Sequence, residues 1–227
     1  MPAPDRRAFL STASSTSLLG LGALAGWWPG AARAQAMVVS GVRFEPAATV
    51  GGTRLVLNGA GVRYKLIFPL YAAALYLPRK TQSAQEALDM PGPKRVTLTL
   101  LRELSIAEFG RMVSRGVQQQ ATKEDFIKIV PDVARVGQIA SRYDKAVAGD
   151  VLQLDWTPAG GLIASFRGAI QGEPFPQPEF FRTLLKIWLG EPPVDAKLKL
   201  AMLGQADAAN KPAGAGAKPG PGDGVLD

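Results

Sequence analysis

Apolar and polar positions alternate between residues 41 and 77, a pattern typical of half-buried β-strands. Leu55 and Leu57 fall on one face of such a run and Val56 on the other. A glycine-containing segment at 59–61 permits a bend or bulge, and Pro69 is predicted to break the sheet or lie at its edge. The predicted strands of this region cover residues 41–44, 53–60, 62–68 and 71–77.

Helical periodicity follows, and it is introduced by two capping boxes. In each box a serine and a glutamate three residues later satisfy the first backbone N–H groups of a helix, at Ser83 to Glu86 and at Ser105 to Glu108. Pro131 is predicted to divide a further helical pattern. The predicted helices cover residues 83–90, a segment from 105 that carries Ile106, Phe109, Met112, Val113 and Val117, then 122–142, 179–189 and 196–203. Their apolar stripes predict faces that pack on a core.

The remaining strands decide the fold class. Residues 95–101 alternate, and residues 151–156 and 162–166 flank a Pro-Ala-Gly-Gly segment that predicts a hairpin. Strands, then helices, then a hairpin, then helices indicate an α+β fold with an antiparallel sheet, because the strict alternation of a parallel βαβ fold is missing. Three glycines inside helical patterns are predicted to be points of close packing: Gly110, Gly116 and Gly137.

Both ends of the chain differ in character from the segment between them. Residues 1–36 contain Arg6-Arg7 before Phe9-Leu10, an apolar run and Ala-x-Ala endings. This order predicts a signal peptide of the twin-arginine type, cleaved after Ala34 or Ala36, with export by the twin-arginine translocase to the periplasm. An uncleaved anchor is the alternative. Residues 205–227 include 14 Ala, Gly or Pro among 23, so a disordered tail is expected and the domain is assigned to residues 37–204.

Composition narrows the chemistry. The 227 residues are 47% hydrophobic and include no histidine and no cysteine. Catalytic triads with histidine, Cys–His pairs, disulfides, haem held by His or Cys and Cys/His zinc sites are therefore excluded. The formal net charge is +7, of which residues 1–36 hold +2. The remaining +5 is spread along the chain without interleaved aromatics, so no nucleic-acid partner is expected. We find no G-x-G-x-x-G, no P-loop and no metal-ligand spacing, and therefore expect no cofactor and no metal.

One cluster of residues points to a ligand. Arg63 begins an apolar run, and Tyr71 and Tyr76 flank the small residues 72–74. If Arg63 and Tyr71 face the same side, they provide a cation and a phenol beside an apolar cleft, which suits an amphipathic acid. The alternative is a surface arginine with the alanines packed under a helix.

Four segments of the chain resemble the chalcone isomerase-like family. They read GAGVRYK at 59–65, YAAALYL at 71–77, PKRVTL at 93–98 and FFRTLLKIWLGEPPVD at 180–195. The resemblance implies an open-faced β-sandwich, in which helices are layered on one side of a large antiparallel sheet above a ligand cleft. The family includes cofactor-free isomerases that cyclise chalcones and members that bind fatty acids.

The family resemblance also implies residue roles. Arg63 matches an arginine that both kinds use, as an oxyanion stabiliser or as a carboxylate anchor. Tyr71 matches a tyrosine of the fatty-acid binders where the isomerases have threonine, and Ile187 replaces a second threonine of the isomerases. We therefore predict an exported protein that binds a fatty acid or a similar amphipathic acid, without a metal or cofactor. The predicted ligand-binding residues are Arg63, Tyr71, Tyr76, Phe109, Met112 and Trp188.

Two other functions stay open at this point. An isomerase acting on a polyphenolic ligand would use Arg63 and Tyr71 to position the substrate and stabilise its oxyanion. A structural protein of the envelope would instead have a filled core and bulky side chains over residues 72–74. The sequence indicates neither the identity of the ligand nor the oligomeric state.

Overall fold

The computed structural model describes residues 36–205, which contain a large antiparallel sheet and five helices. The strands are β1 (Met37–Val39), β2 (Val42–Phe44), β3 (Ala47–Val50), β4 (Thr53–Lys65), β5 (Phe68–Leu77), β6 (Lys94–Leu100), β7 (Leu104–Ser105), β8 (Lys145–Ala146), β9 (Val151–Thr157), β10 (Gly161–Phe166) and β11 (Ala169–Ile170). The helices are α1 (Ala84–Asp89), α2 (Ile106–Gln120), α3 (Lys123–Ala140), α4 (Pro178–Leu189) and α5 (Ala196–Met202).

Seven strands form the main sheet in the order β11-β10-β9-β6-β5-β4-β3, and each pair of neighbours is antiparallel. The long strands β4 and β5 pair along most of their length. Short pairs β1–β2 and β7–β8 stand apart from the main sheet. The backbone hydrogen bonds of β4 and β5 therefore fix which side chains of these two strands stand opposite one another.

The two faces of the sheet are covered differently. Alternation along β5 turns Tyr71, Ala73, Leu75 and Leu77 toward a core that includes residues of all five helices. The intervening residues Ala72, Ala74 and Tyr76 belong to a second, smaller core with residues of β2 and β3. This arrangement confirms the predicted fold class, α+β with an antiparallel sheet and helices layered on one side.

Two glycines of β4 allow α5 to lie directly on the sheet. A β-carbon at Gly59 would overlap the carbonyl oxygen of Ala201, and one at Gly61 would lie 2.6 Å from the Ala201 β-carbon. Gly59 also follows a shift in the β4–β5 register. At the same place Asn58 is buried, accepts a hydrogen bond from the backbone N–H of Thr81 and donates to the carbonyl of Met202.

The structure corrects the predicted break at Pro69. One continuous strand, β4, replaces the two strands predicted over 53–60 and 62–68. The chain reverses at Leu66, whose φ of +59° is rare for a residue with a β-carbon. Pro69 lies inside β5, next to a second register shift between Arg63 and Tyr64, so the sheet accommodates its missing N–H at an irregular position.

Pro131 does not divide the helix as predicted, because α3 runs unbroken from Lys123 to Ala140. Pro131 is exposed, and so is Ile127, whose carbonyl loses its helical donor; water can satisfy that oxygen. The predicted close packing is confirmed at Gly116, where a β-carbon would lie 3.0 Å from the side chain of Ile187. It is wrong at Gly110 and Gly137, where a β-carbon would meet nothing within 4 Å.

The other predicted elements agree with the structure. Ser83 and Ser105 cap α1 and α2 as their capping boxes predict, each accepting the backbone N–H of the glutamate three residues later. The hairpin of β9 and β10 pairs Trp156 with Leu162. The predicted signal peptide and tail lie almost entirely outside the described residues. Within 36–205, no helix combines the length and the apolar character that crossing a bilayer requires.

Candidate functional site

Arg63 and Tyr71 meet on the helix-covered face of the sheet. They are direct partners in the antiparallel ladder of β4 and β5, and the guanidinium carbon of Arg63 lies 5.6 Å from the centre of the Tyr71 ring. Partners in a ladder point to the same face, so the register brings the cation and the phenol together. Arg63 and Tyr71 therefore face the same side of the sheet, which is the arrangement that a ligand site at this point requires.

Trp188 of α4 holds the phenol of Tyr71 from the other side. Its indole Nε1 donates a hydrogen bond of 3.0 Å to the Tyr71 hydroxyl oxygen, and both side chains are buried. Burial raises the pKa of Tyr71, while Arg63 and the bond from Trp188 act in the opposite direction. Tyr71 is therefore a neutral phenol at physiological pH. Because its oxygen already accepts from Trp188, its own proton is available to a further acceptor.

Arg63 has one buried donor group without an acceptor. Its Nε is buried and makes no hydrogen bond with any residue in the described part of the chain. No carboxylate of residues 36–205 lies within 4 Å of its guanidinium. The nearby acid Asp195 is already engaged, since its two oxygens accept the backbone N–H groups of Tyr64 and Leu198. A buried guanidinium donor without a partner favours an anion as its missing acceptor.

A polar cleft of about 450 Å³ opens beside Arg63, between β4, α2 and the end of α4. It carries three further cations, Lys65, Arg111 and Arg115, and one carboxylate, Glu108. Lys65 and Glu108 form an ion pair of 2.8 Å, and this lowers the pKa of Glu108. The rest of the wall is formed by Met112, Gly116, Gln119, Gln120, Ile187, Pro192 and Val194. The cleft therefore has an excess of positive charge over a partly apolar wall.

An apolar cavity of about 140 Å³ lies between the sheet and helices α2, α3 and α4. Aliphatic and aromatic side chains line it almost completely, among them Phe109, Val113 and Trp188. At one point the wall is polar, where the hydroxyl of Tyr143 donates to Gln171 over 2.9 Å. A space with such a lining takes hydrocarbon and disfavours charge.

The Tyr71–Trp188 pair stands between these two spaces. Trp188 lines the apolar cavity, whereas Tyr71 faces Arg63, which lines the polar cleft. Adjacent faces of α2 contribute to both spaces, with Phe109 in the cavity and Met112 in the cleft. The polar cleft and the apolar cavity thus meet at one hydrogen-bonded aromatic pair.

Five of the six predicted ligand-binding residues lie around this arrangement, and Tyr76 does not. Tyr76 is five residues after Tyr71, and an odd offset along a strand turns a side chain to the opposite face. There it is buried in the smaller core, and its hydroxyl donates to the carbonyl of Glu45 over 3.1 Å. Tyr76 therefore packs in the smaller core, on the opposite face of the sheet from Arg63 and Tyr71.

The alanines between Tyr71 and Tyr76 are also buried, with other side chains packed over them. Ala72 and Ala74 are fully buried in the smaller core, and Ala73 is fully buried in the larger one. The space for a ligand is therefore not above these alanines. It lies farther along the helical face, beside Arg63 and under α2.

Sequence reasoning missed the cationic wall of the cleft. Glu108, Arg111, Arg115 and Gln119 recur every three or four residues along α2, and this helical spacing places them on one side of the helix. The periodicity of α2 predicts its apolar stripe as a core face, and the polar stripe beside it received no predicted role. Within 36–205 no group of three or more acidic residues is arranged to hold a metal ion.

The comparisons with known proteins agree with this architecture. A family model described as chalcone isomerase-like matches residues 36–204. Among solved structures, a fatty-acid binding protein of Arabidopsis thaliana has a similar fold, with a TM-score of 0.60 at 14% identity. That match covers 77% of this chain and 98% of the plant protein. No curated protein sequence matches the chain significantly.

Proposed function

Because the chain belongs to the chalcone isomerase-like family, we propose that it binds a fatty acid or a similar amphipathic acid beside Arg63. In this proposal the carboxylate accepts hydrogen bonds from the Arg63 guanidinium and from the hydroxyl of Tyr71. The hydrocarbon tail extends along Met112 and Ile187 toward the apolar cavity. Trp188 orients the phenol, because its indole donates to the same oxygen.

The unpartnered Nε of Arg63 is the observation that carries the proposal. A buried guanidinium donor that lacks an acceptor is costly, and a carboxylate supplies the missing acceptor with both charge and geometry. The protonated phenol of Tyr71 adds a second donor at the same point. Hydrogen bonds to a charged group contribute about 1.5–3 kcal/mol each, enough to select an acid over an uncharged lipid.

The similar plant structure supports the same ligand class. That protein is a fatty-acid binding protein, and the structural match covers nearly its whole length. At 14% identity this similarity establishes the fold, so the choice of ligand rests on Arg63, Tyr71 and the apolar cavity.

The isomerase alternative has less support from the cleft. Neither Ser nor Thr lines the polar cleft in the described part of the chain, so Tyr71 beside Arg63 supplies the hydroxyl that either function would use. Ile187 lines it where the catalytic members of the family carry threonine, so no hydroxyl is available at that point. Because burial raises the pKa of Tyr71, its phenol stays protonated, so it can donate to an oxyanion but is not available as a general base. A chalcone cyclisation assay distinguishes the two functions, and turnover by the wild-type chain would favour the isomerase.

Equilibrium binding of palmitate to the full chain tests the proposal. We expect saturable binding, measured by calorimetry or by displacement of a fluorescent fatty acid. The Arg63→Ala variant should bind at least about tenfold more weakly, a loss of roughly 1.4 kcal/mol. Arg54→Ala is the matched control, because Arg54 is an exposed arginine near the other end of the same strand.

Two results would contradict the proposal. A folded wild-type chain that binds no fatty acid would exclude the carrier function and favour a structural role. Equal affinities for Arg63→Ala and Arg54→Ala would remove Arg63 from the binding site, even if the lipid still binds.

We also propose that the protein acts after export. The proposal rests on Arg6-Arg7 and on the Ala-x-Ala endings within residues 1–36. Replacing both arginines with lysine should retain most of the protein in the cytoplasm, as measured by cell fractionation. Unchanged export of that variant would contradict a twin-arginine route.

A further inference from the structure

The tip of the β4–β5 hairpin exposes an unusual amount of apolar surface. Leu66 is 90% exposed, Ile67 80% and Phe68 52%. The preceding Tyr64 is 46% exposed, so four large apolar side chains lie within five consecutive positions. Isolated exposed apolar residues are ordinary, but a contiguous group of this kind marks an interaction surface.

The backbone of the tip is also unusual. Leu66 adopts a φ of +59°, a conformation in which glycine or asparagine costs less than a leucine. A leucine at this turn gains nothing from packing within the described chain, because its side chain is almost fully exposed. A contact with a partner outside the described chain therefore explains a leucine at position 66 better than the geometry of the turn does.

Cations lie beside the apolar tip. Arg102 lies against Phe68, with its guanidinium carbon 5.3 Å from the ring centre. Arg102 and Arg111 both lower the pKa of Glu108, which is the ion-pair partner of Lys65 in the tip. In the described part of the chain, neither Arg102 nor Arg111 has a carboxylate within 4 Å. Apolar side chains with unpaired cations beside them match the interface of an anionic bilayer.

We propose that this hairpin tip, residues 64–68 with Arg102 and Arg111, docks the protein on anionic lipid membranes. Leu66, Ile67 and Phe68 enter the boundary between headgroups and acyl chains, and the arginines contact lipid phosphates. Lys65 belongs to both the tip and the polar cleft, so docking turns the mouth of the cleft toward the bilayer. The inference does not depend on the ligand of the cleft.

A site-specific fluorescent label tests the insertion of the tip directly. The chain has no cysteine, so Ile67→Cys carries one environment-sensitive dye on an otherwise unlabelled full chain. Vesicles with equal parts of phosphatidylglycerol and phosphatidylcholine should shift the emission to the blue. Ile127→Cys is the control, since Ile127 is 74% exposed on α3 and should show no shift. Equal shifts at both positions, or none at Ile67→Cys, would overturn the proposal.

Substitutions at the tip test its contribution to affinity. In vesicle flotation, the double variant Leu66→Ser with Ile67→Ser should bind at least tenfold more weakly than wild type. The matched control is Ile127→Ser with Ile170→Ser, which removes two comparably exposed isoleucines from other elements. Identical binding by the two double variants would contradict insertion of the tip, whatever other segment of the chain binds lipid.

The charge variants separate lipid from protein partners. Arg102→Gln with Arg111→Gln should weaken binding to anionic vesicles about 25-fold, at about 1 kcal/mol for each cation near the surface. The control is Arg54→Gln with Lys80→Gln, since Arg54 lies near the start of β4 and Lys80 lies three residues after the end of β5. Raised salt should abolish the difference. A tip that mediates dimers in solution and leaves vesicles unbound would overturn the membrane proposal in favour of a second copy of the chain.

Discussion

The phenol of Tyr71 is shared by two interactions, a hydrogen bond from Trp188 and a close approach of Arg63. Both aromatic side chains are buried, so neither the hydroxyl nor the indole N–H has water as a substitute partner. The pair therefore has a structural role and, in the proposed function, a binding role at the same atom. At the scale of single residues, loss of this hydrogen bond should therefore affect both the stability of the fold and the proposed binding.

A double-mutant cycle measures that hydrogen bond. Tyr71→Phe leaves the Trp188 N–H buried without an acceptor, and this should lower the free energy of unfolding by about 1–3 kcal/mol. Trp188→Phe should also destabilise, through the lost donor and the smaller ring. The double variant should be less destabilised than the sum of the two by about 1 kcal/mol, because it leaves no unpaired group. Urea unfolding measures all four proteins, and strict additivity would contradict the coupling.

At the scale of elements, the contact between α5 and β4 holds in place the strand that carries Arg63. This contact needs glycine at 59 and 61, since a β-carbon at either position would meet the backbone or side chain of Ala201. The segment that leads into α5 also brings Asp195 to the backbone N–H of Tyr64, next to Arg63. A shift of α5 would therefore move the end of β4 that carries Arg63.

Two Gly→Ala substitutions should have opposite effects. Gly59→Ala forces backbone against backbone, and overpacking of this kind costs about 1–3 kcal/mol of unfolding free energy. Gly137→Ala should instead stabilise by about 0.5–1 kcal/mol, because Gly137 lies inside α3 with nothing within 4 Å of an added β-carbon. Thermal or urea unfolding of both variants tests this. Destabilisation by both, to the same degree, would contradict the assigned packing.

At the scale of the whole molecule, the sequence predicted the order of elements well because local signals specify them. The capping boxes at Ser83 and Ser105 and the hairpin of β9 and β10 depend on neighbours in the chain, and all three were predictable. Pro69 and Pro131 were misjudged, because the register shift beside Pro69 and the exposed position of Pro131 depend on the assembled fold.

The candidate site was predictable only in part, for the same reason. Arg63 and Tyr71 come together because β4 and β5 pair in one particular register, which sequence spacing alone does not give. The same register turns Tyr76 away to the other face. The hydrogen bond from Trp188 joins residues 117 positions apart, so no local pattern indicates it.

The central claim is that Arg63 recognises a carboxylate at the end of a hydrocarbon chain. The most direct measurement compares the affinities of palmitic acid and its corresponding primary alcohol for the wild-type chain and for Arg63→Ala. We predict that the wild type prefers the acid by at least about tenfold, which is roughly 1.4 kcal/mol, and that Arg63→Ala loses this preference while still binding the alcohol. An acid-to-alcohol preference that is the same in both proteins would contradict the account.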